Sequence, residues 1–321
     1  MVFGHIISSV GPSESYLSYR ILDCLLFFFM PWFFYKSGSF YRPKSVKDII
    51  EDSIRRFILP FFIFSVLGHI VYCVIQLCLS GNISFQDCLI EPLKQLLALG
   101  SLYGNSPLWF LVTLPLVKLL FSLCGSSKKL MIVLVICCAT LSIIVSDAKE
   151  IVNHESYVYR LLVYPRWFYN TLSGTFFYGI GALMKDVRSN VPCFCVSFLL
   201  FVILSFACLS RVDMFPNDLK KGSYCIWLIS SLCGIVSVKF IFDFWNKRVY
   251  SMHFLSMIGK NAMTILVTHM ILINIVTCLF SFWGYTDKVI ILCNILILSI
   301  ISPLTIIYID RRMPWIVGKI V

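Results

Sequence analysis

Apolar residues run along this chain in long blocks separated by short polar turns. The blocks lie near residues 21–40, 57–79, 107–124, 130–146, 161–184, 192–210, 223–242, 254–282 and 288–309. Each is close to the length of about 20 residues that a helix needs to cross a bilayer. Alternation of period 2 is absent, and an open sheet edge cannot sit in hydrocarbon, so the blocks predict helices rather than strands. A shorter apolar stub at 1–8 would reach roughly 12 Å of a core about 30 Å thick, too little to cross. The pattern predicts an all-α integral membrane protein: a polytopic helical bundle of about nine complete spans plus a truncated first helix. The natural start is expected upstream of Met1. No cleavable signal peptide is visible. Without a linker, a low-complexity segment or a repeat, residues 1–321 read as a single transmembrane domain.

Composition strengthens this picture. Of 321 residues, 59% are hydrophobic and only 13% charged, with a mean hydropathy of +0.88. Soluble domains carry about 25% charged residues and could not cover so apolar a surface. The net charge of +11 invites a nucleic-acid reading, but its distribution argues otherwise. Two thirds of the 27 Lys and Arg residues fall on one set of alternate loops, which include Lys36, Arg42, Lys44, Lys47, Arg55 and Arg56. An excess of Lys and Arg marks cytoplasmic loops. Residues 36–56 and the C-terminus are therefore expected in the cytoplasm. Residues 9–20, 80–106, 147–160, 211–222 and 283–287 are expected to face outward, from an inner or plasma membrane. A complete first helix would make ten spans with both ends inside. The basic charge is topogenic, and no nucleic-acid partner is expected.

The 14 cysteines give no disulfide framework. Most lie within predicted spans, where they behave as small apolar residues. Cys193 and Cys195 are too close and too isolated for a zinc site, and no metal is expected. No HExxH or P-loop occurs, and Gly179-Ile-Gly181 stops short of a dinucleotide fingerprint. Asn82-Ile-Ser84 is a glycosylation sequon in an expected outer loop.

Polar groups at membrane depth are costly and so point to function. His5, His69 and His269 fall within apolar blocks, whereas His154 and His253 fall in loops. A histidine in a bundle often does no more than hydrogen-bond a neighbouring helix. His5 differs because it follows Gly4 and precedes a polar Ser8-Ser9-Val-Gly-Pro12 turn, where a substrate can enter. A neutral imidazole there can take a proton from an attacking hydroxyl. Arg20 and Asp23 read as an interfacial ion pair or a substrate-binding pair. Arg166, among aromatics in Tyr164-Pro-Arg-Trp167, either snorkels to the headgroups or meets substrate. Arg55 and Arg56, at the cytoplasmic mouth of a span, can grip an anion bidentately or serve as topogenic anchors. Trp32, Trp109, Trp167 and Trp283 fit an aromatic belt.

Several short motifs follow one another in order. Val2-Phe-Gly-His5 ends the stub. Met30-Pro-Trp-Phe-Phe-Tyr-Lys-Ser-Gly38 follows, then Arg55-Arg-Phe-Ile-Leu-Pro60 and Pro107-Leu-Trp-Phe-Leu111. Phe176-Phe-Tyr-Gly179 comes next, and Gly259-Lys-Asn261 leads to His269. In this order they resemble the membrane acyltransferase family 3, in particular its fucose 4-O-acetylase-like branch, over nearly the whole chain. The family's first helix carries a basic residue eleven positions before its histidine, and here that position would precede Met1.

The resemblance implies acyl transfer, most simply O-acetyl transfer, from cytoplasmic acyl-CoA (acetyl-CoA) to a sugar hydroxyl of a cell-surface polysaccharide or its lipid-linked precursor. His5 would be the catalytic base. Trp109, Arg166, Asn261 and His269 would bind substrate, with His269 and Asn261 as candidates for the oxyanion donor. Arg55 and Arg56 would hold the acyl-CoA phosphates. Membrane lipid, acyl-CoA and a glycan or lipid-linked sugar are the expected partners. The alternatives are a glycan or lipid transporter or polysaccharide polymerase of the inner membrane, or an inactive truncated acyltransferase. Short outer loops and few charges within the spans disfavour the first two.

Overall fold

A computed structural model describes residues 2–9, 27–152, 165–187, 190–207, 210–214, 218–246 and 259–319 of the chain. His154, His253, Arg20, Asp23 and most of the expected 9–20 loop lie outside the described residues, as do parts of the blocks at 21–40 and 161–184. In chain order the helices are α1 (Val2–Ser8), α2 (Phe29–Ser39), α3 (Val46–Ser53), α4 (Leu59–Ser80), α5 (Glu91–Leu99), α6 (Trp109–Ser122), α7 (Lys128–Ile151), α8 (Arg166–Leu183) and α9 (Val191–Phe206). A two-stranded hairpin follows, β1 (Arg211–Asp213) paired antiparallel with β2 (Asp218–Lys221). Then come α10 (Tyr224–Asn246), α11 (Ala262–Phe282) and α12 (Asp287–Arg312).

Five described segments are long and apolar enough to cross a membrane: Val46–Ser80, Lys128–Ile151, Tyr224–Phe244, Ala262–Phe282 and Asp287–Arg312. Ser106–Ser122 and Val191–Phe206 are shorter apolar helices. The protein is thus a helical, multi-pass membrane protein, and its helices follow the apolar blocks. Two side chains cap helix starts where the blocks begin. The Ser127 hydroxyl accepts from the Leu130 amide, and the Asn190 side chain accepts from the Cys193 amide.

Two stretches expected as loops are helical. The basic segment before residue 57 forms α3 and a π-helical turn, Ile54–Ile58, that runs into α4. Ile49 and Ser53 recur one turn apart and are both buried, which gives this charged segment a helical face to pack. The expected outer loop 80–106 contains a second π-turn, Gln86–Ile90, and α5, which starts at Glu91-Pro92. Proline in the first turn lacks only a donor that a helix start leaves unpaired anyway. The hairpin, too, occupies a stretch expected as an outer loop.

The chain groups into two compact units, each discontinuous in sequence. The first comprises residues 1–22, 51–112 and 253–321. In it α11 packs against α1, α4, α12 and the 3-10 turn Ser106–Leu108. One face of α4 is exposed at Phe62, Val66, Ile70 and Val74, whereas Phe61, Phe64, Ser65 and Gly68 are buried. On α12, Leu292, Leu296, Ile300 and Leu304 are exposed, and Ile290, Asn294 and Leu298 are buried. Exposed apolar stripes at four-residue spacing beside buried small and polar residues are what a lipid-facing helix presents.

The second unit comprises residues 23–50 and 113–252. In it α8 packs on α2 and α7, and α9 on α10. Every residue from Asn170 to Gly179 is buried. Small residues permit this close approach: a methyl group on Gly38 would lie 1.9 Å from the Tyr178 carbonyl oxygen, and one on Gly181 would lie 2.0 Å from that of Tyr35. The Ser173 and Tyr224 hydroxyls hydrogen-bond between α8 and α10.

Candidate active site

The first unit brings two of the candidate histidines together. Ile6 packs into a small apolar cluster with Ile273 of α11 and Leu298 of α12. That docking sets the His5 ring against the His269 ring, with centroids 5.4 Å apart and planes at 43°. A polar chain one turn further on fixes α1 in place. The Asn294 amide donates to the Thr277 hydroxyl at 3.1 Å, which lies 3.2 Å from the Ser9 hydroxyl, and Ser9 donates to the Ile6 carbonyl at 2.9 Å. Three helices are thereby tied by hydrogen bonds as well as by apolar contact.

His269 is buried, with 1% of its surface exposed. Its Nδ1 lies 2.8 Å from the Ile265 carbonyl and 3.0 Å from that of Leu266. Carbonyl oxygens only accept, so Nδ1 carries the proton and Nε2 presents a lone pair. Among the described residues Nε2 has no hydrogen-bond partner. A buried acceptor left unmatched is costly, which marks this atom as a place for a ligand's N–H or O–H. In this tautomer Nε2 accepts and does not donate, so it cannot supply a hydrogen bond to an oxyanion.

A second structural element of the same unit is the segment before α6. Asn105 is fully buried, and its amide donates to the Phe64 carbonyl of α4 at 3.3 Å and to the Val267 carbonyl of α11 at 2.9 Å. The Asn274 amide holds the Gly104 carbonyl at 2.9 Å. Gly104 has φ +86, and a methyl group there would lie 2.1 Å from the Gly68 carbonyl oxygen, so only glycine suits this crossing. Trp109, the first residue of α6, is buried directly after this clamped turn.

Arg55 and Arg56 are exposed on the π-turn that leads into α4. Arg56 Nε lies 3.9 Å from the Asp52 carboxylate. The C-terminal turn Pro314–Val317 packs on this turn and on α4. Gly318 sits so close that a methyl group on it would be 2.5 Å from the Arg56 Cα. The next residue, Lys319, donates to Asn261 Oδ1 and to Asp310 Oδ1, both at 2.6 Å. Asn261 precedes α11 and therefore stands at the same end as the arginines. His269 lies just over two turns further along, about 12 Å.

The structure thus brings His5 and His269 into contact. It holds Asn261 at the basic end, engaged by Lys319, rather than beside the histidines. Arg166 belongs to the other unit, at the first turn of α8. There it lies near Lys149, which Asp218 also approaches, and the Lys149 ammonium sits 4.9 Å from the Tyr169 ring centre. His69 stands apart from the histidine pair, with Nε2 2.8 Å from the Cys88 carbonyl. Among the described residues no three His, Cys, Asp or Glu side chains are grouped as metal ligands. Asn105, Asn294, Thr277 and Lys319 did not stand out in the sequence as site residues. Asn294 carried a readable signal, an amide inside an apolar block. Asn105, in a polar turn, carried none.

A family model described as an acyltransferase domain matches residues 1–308 of the chain. No curated protein matches it. No solved structure matches it either.

Proposed function

The chain belongs to acyltransferase family 3, and from that premise we propose that it is an integral-membrane O-acyltransferase that moves an acetyl group from acetyl-CoA to a sugar hydroxyl. The acceptor is a cell-surface polysaccharide or its lipid-linked precursor. The observation that carries this reading is the His5–His269 pair, with His269 buried and its Nε2 an unmatched acceptor.

A sugar hydroxyl is a weak nucleophile at neutral pH and needs a base as it attacks. His5 takes its proton while the oxygen bonds to the thioester carbonyl carbon. Collapse of the tetrahedral intermediate breaks the carbon–sulfur bond, and the proton passes to the departing CoA thiolate. His269 Nε2 accepts a hydrogen bond from a second hydroxyl of the sugar and so orients it. Trp109, buried at the start of α6, contributes to acceptor binding.

Arg55 and Arg56 bind the CoA phosphates at the basic end, which the distribution of Lys and Arg assigns to the cytoplasm. Asn261 lies at that same end, about 12 Å along α11 from His269, a depth that an extended pantetheine arm spans. The donor therefore enters from the cytoplasmic side and presents its thioester near the middle of a core about 30 Å thick.

The test is transfer from radiolabelled acetyl-CoA in membranes that contain the protein. Label in the glycan fraction, lost on His5→Ala with the protein still inserted, supports the reading. Retained turnover in His5→Ala removes His5 as the base. Label in a lipid fraction without a sugar replaces the acceptor class.

A further inference from the structure

A second unmatched hydrogen-bond acceptor lies beyond the histidine pair. Asn294 of α12 is fully buried, and among the described residues its Oδ1 has no hydrogen-bond partner. The other half of the amide fixes its orientation. Nδ2 donates to the Ile290 carbonyl and to the Thr277 hydroxyl, both at 3.1 Å, and a carbonyl demands a donor, so the nitrogen faces Ile290. The Ser9 proton goes to the Ile6 carbonyl, so Thr277 donates to Ser9. The hydrogen bonds therefore point one way, from Asn294 through Thr277 and Ser9 to the backbone of α1, with Oδ1 open at the head. Along α11, His269, Ile273 and Thr277 recur every fourth residue and meet His5, Ile6 and Ser9 of α1 in turn. His269 Nε2 and Asn294 Oδ1 are thus two buried, unmatched acceptors on one line, with the Ile6, Ile273 and Leu298 layer between them. Thr277 stands just over two turns beyond His269, about 12 Å. Because α11 starts beside Asn261 at the basic end, the Asn294 layer lies toward the opposite end. Ser9 and Thr277 are partly exposed, so the layer is open at its edge.

We infer that Asn294 Oδ1 is a second sugar-binding position, which takes a hydroxyl or acetamido N–H further along the glycan, so that the preferred acyl acceptor is an oligosaccharide and not a single sugar. The inference rests on the acetyl-transfer reading and specifies the substrate of that same site. A buried carbonyl oxygen without a partner is costly, and a donor on the ligand removes that cost. Both unmatched atoms only accept, which suits a ligand rich in O–H and N–H groups. A single sugar ring is too short to reach both atoms across about 12 Å, whereas linked sugars span it. The glycan then approaches the histidines from the end opposite Arg55 and Arg56, and leaves the basic end to the acyl donor. A donor bound at Oδ1 also polarises the chain of hydrogen bonds that ends on α1. The outer sugar thereby strengthens the hold on the helix that carries His5.

The experiment uses the full-length protein in detergent, radiolabelled acetyl-CoA, and fragments of the host cell's surface glycan. The fragments are treated with mild base to free their hydroxyls and sorted by length from single sugars upward. The unaltered protein is expected to use fragments that span both atoms with a kcat/KM about tenfold above that for single sugars, the effect of one well-placed buried hydrogen bond. Asn294→Leu should abolish this preference for length, and Asn294→Ala, which adds no bulk, should do the same. Thr277→Val breaks the chain to α1 but leaves Oδ1 in place. It should lower the rate by a similar factor at every length and keep the preference. Rates are taken per folded protein, counted by size-exclusion chromatography. Equal use of every length by the unaltered protein would overturn the inference and leave the acetyl-transfer reading standing. A preference that survives in both Asn294 variants would overturn it as well. Transfer to no fragment at all would overturn the acetyl-transfer reading, and the inference with it.

Discussion

His5 and His269, 264 residues apart in sequence, face each other with ring centroids 5.4 Å apart inside the first unit. Loss of a general acid or base typically costs 10²–10⁴-fold in rate. His5→Ala is expected to lower acetyl transfer by at least about 100-fold, and His269→Ala, which loses the orienting hydrogen bond, by less. Because the two rings serve one site, the double variant should be little worse than the more damaging single one. Initial rates in membranes matched for protein content check this. Multiplied effects would mean that the histidines act independently.

Asn105 makes its two hydrogen bonds in a fully buried setting. Asn105→Ala should destabilise the protein by about 1–3 kcal/mol, the usual consequence of leaving buried groups unmatched. Asn105→Asp keeps the shape but lacks the amide donors, so it should be at least as harmful. Thermal unfolding in detergent measures both, and wild-type stability of the Asp variant would show that the amide donors contribute nothing.

Gly318 combines φ +73 with close contact against Arg56. Gly318→Ala must strain the backbone and push the C-terminal turn off the arginines, at about 1–3 kcal/mol. On the proposed reading the KM for acetyl-CoA rises severalfold with kcat little changed, since the perturbed group binds the donor and lies far from the histidines. Arg56→Ala should raise the same KM more than His69→Ala does. Equal, small effects would leave the arginines as topogenic charges.

In the second unit, Gly181→Ala should destabilise by about 1–3 kcal/mol through overpacking against the Tyr35 carbonyl, with a lower melting temperature as the readout. Gly259→Ala is the control, because a methyl group there meets nothing within 4 Å. If both variants melt alike, the tight α2–α8 crossing is not what the glycine protects.

Hydropathy alone read out the class of the protein and the approximate ends of most described helices, because the bilayer imposes one length and one backbone solution on any spanning segment. It also pointed to His5, His69 and His269 as polar groups in costly places. It misread α3 and α5 as loops. Both are short, charged helices at the ends of apolar blocks, where a hydropathy average falls although the helical periodicity continues. The resemblance grouped Asn261 with His269 as substrate-binding residues, and a helix separates them by about 12 Å along its axis.

The sequence by itself determined a helical, multi-pass membrane protein, and the ordered motifs identified the acyltransferase family that residues 1–308 match. Local pattern suffices for these properties because they depend on segment length, composition and short spacings. Only the tertiary structure decided that His5 meets His269, that His269 keeps its proton on Nδ1, and that Asn105 clamps α4 to α11. Each of these depends on which side of one apolar helix faces another. Lipid and a neighbouring helix are equally apolar, so hydropathy cannot tell those sides apart. Close packing, glycine crossings and the few buried hydrogen bonds make that choice.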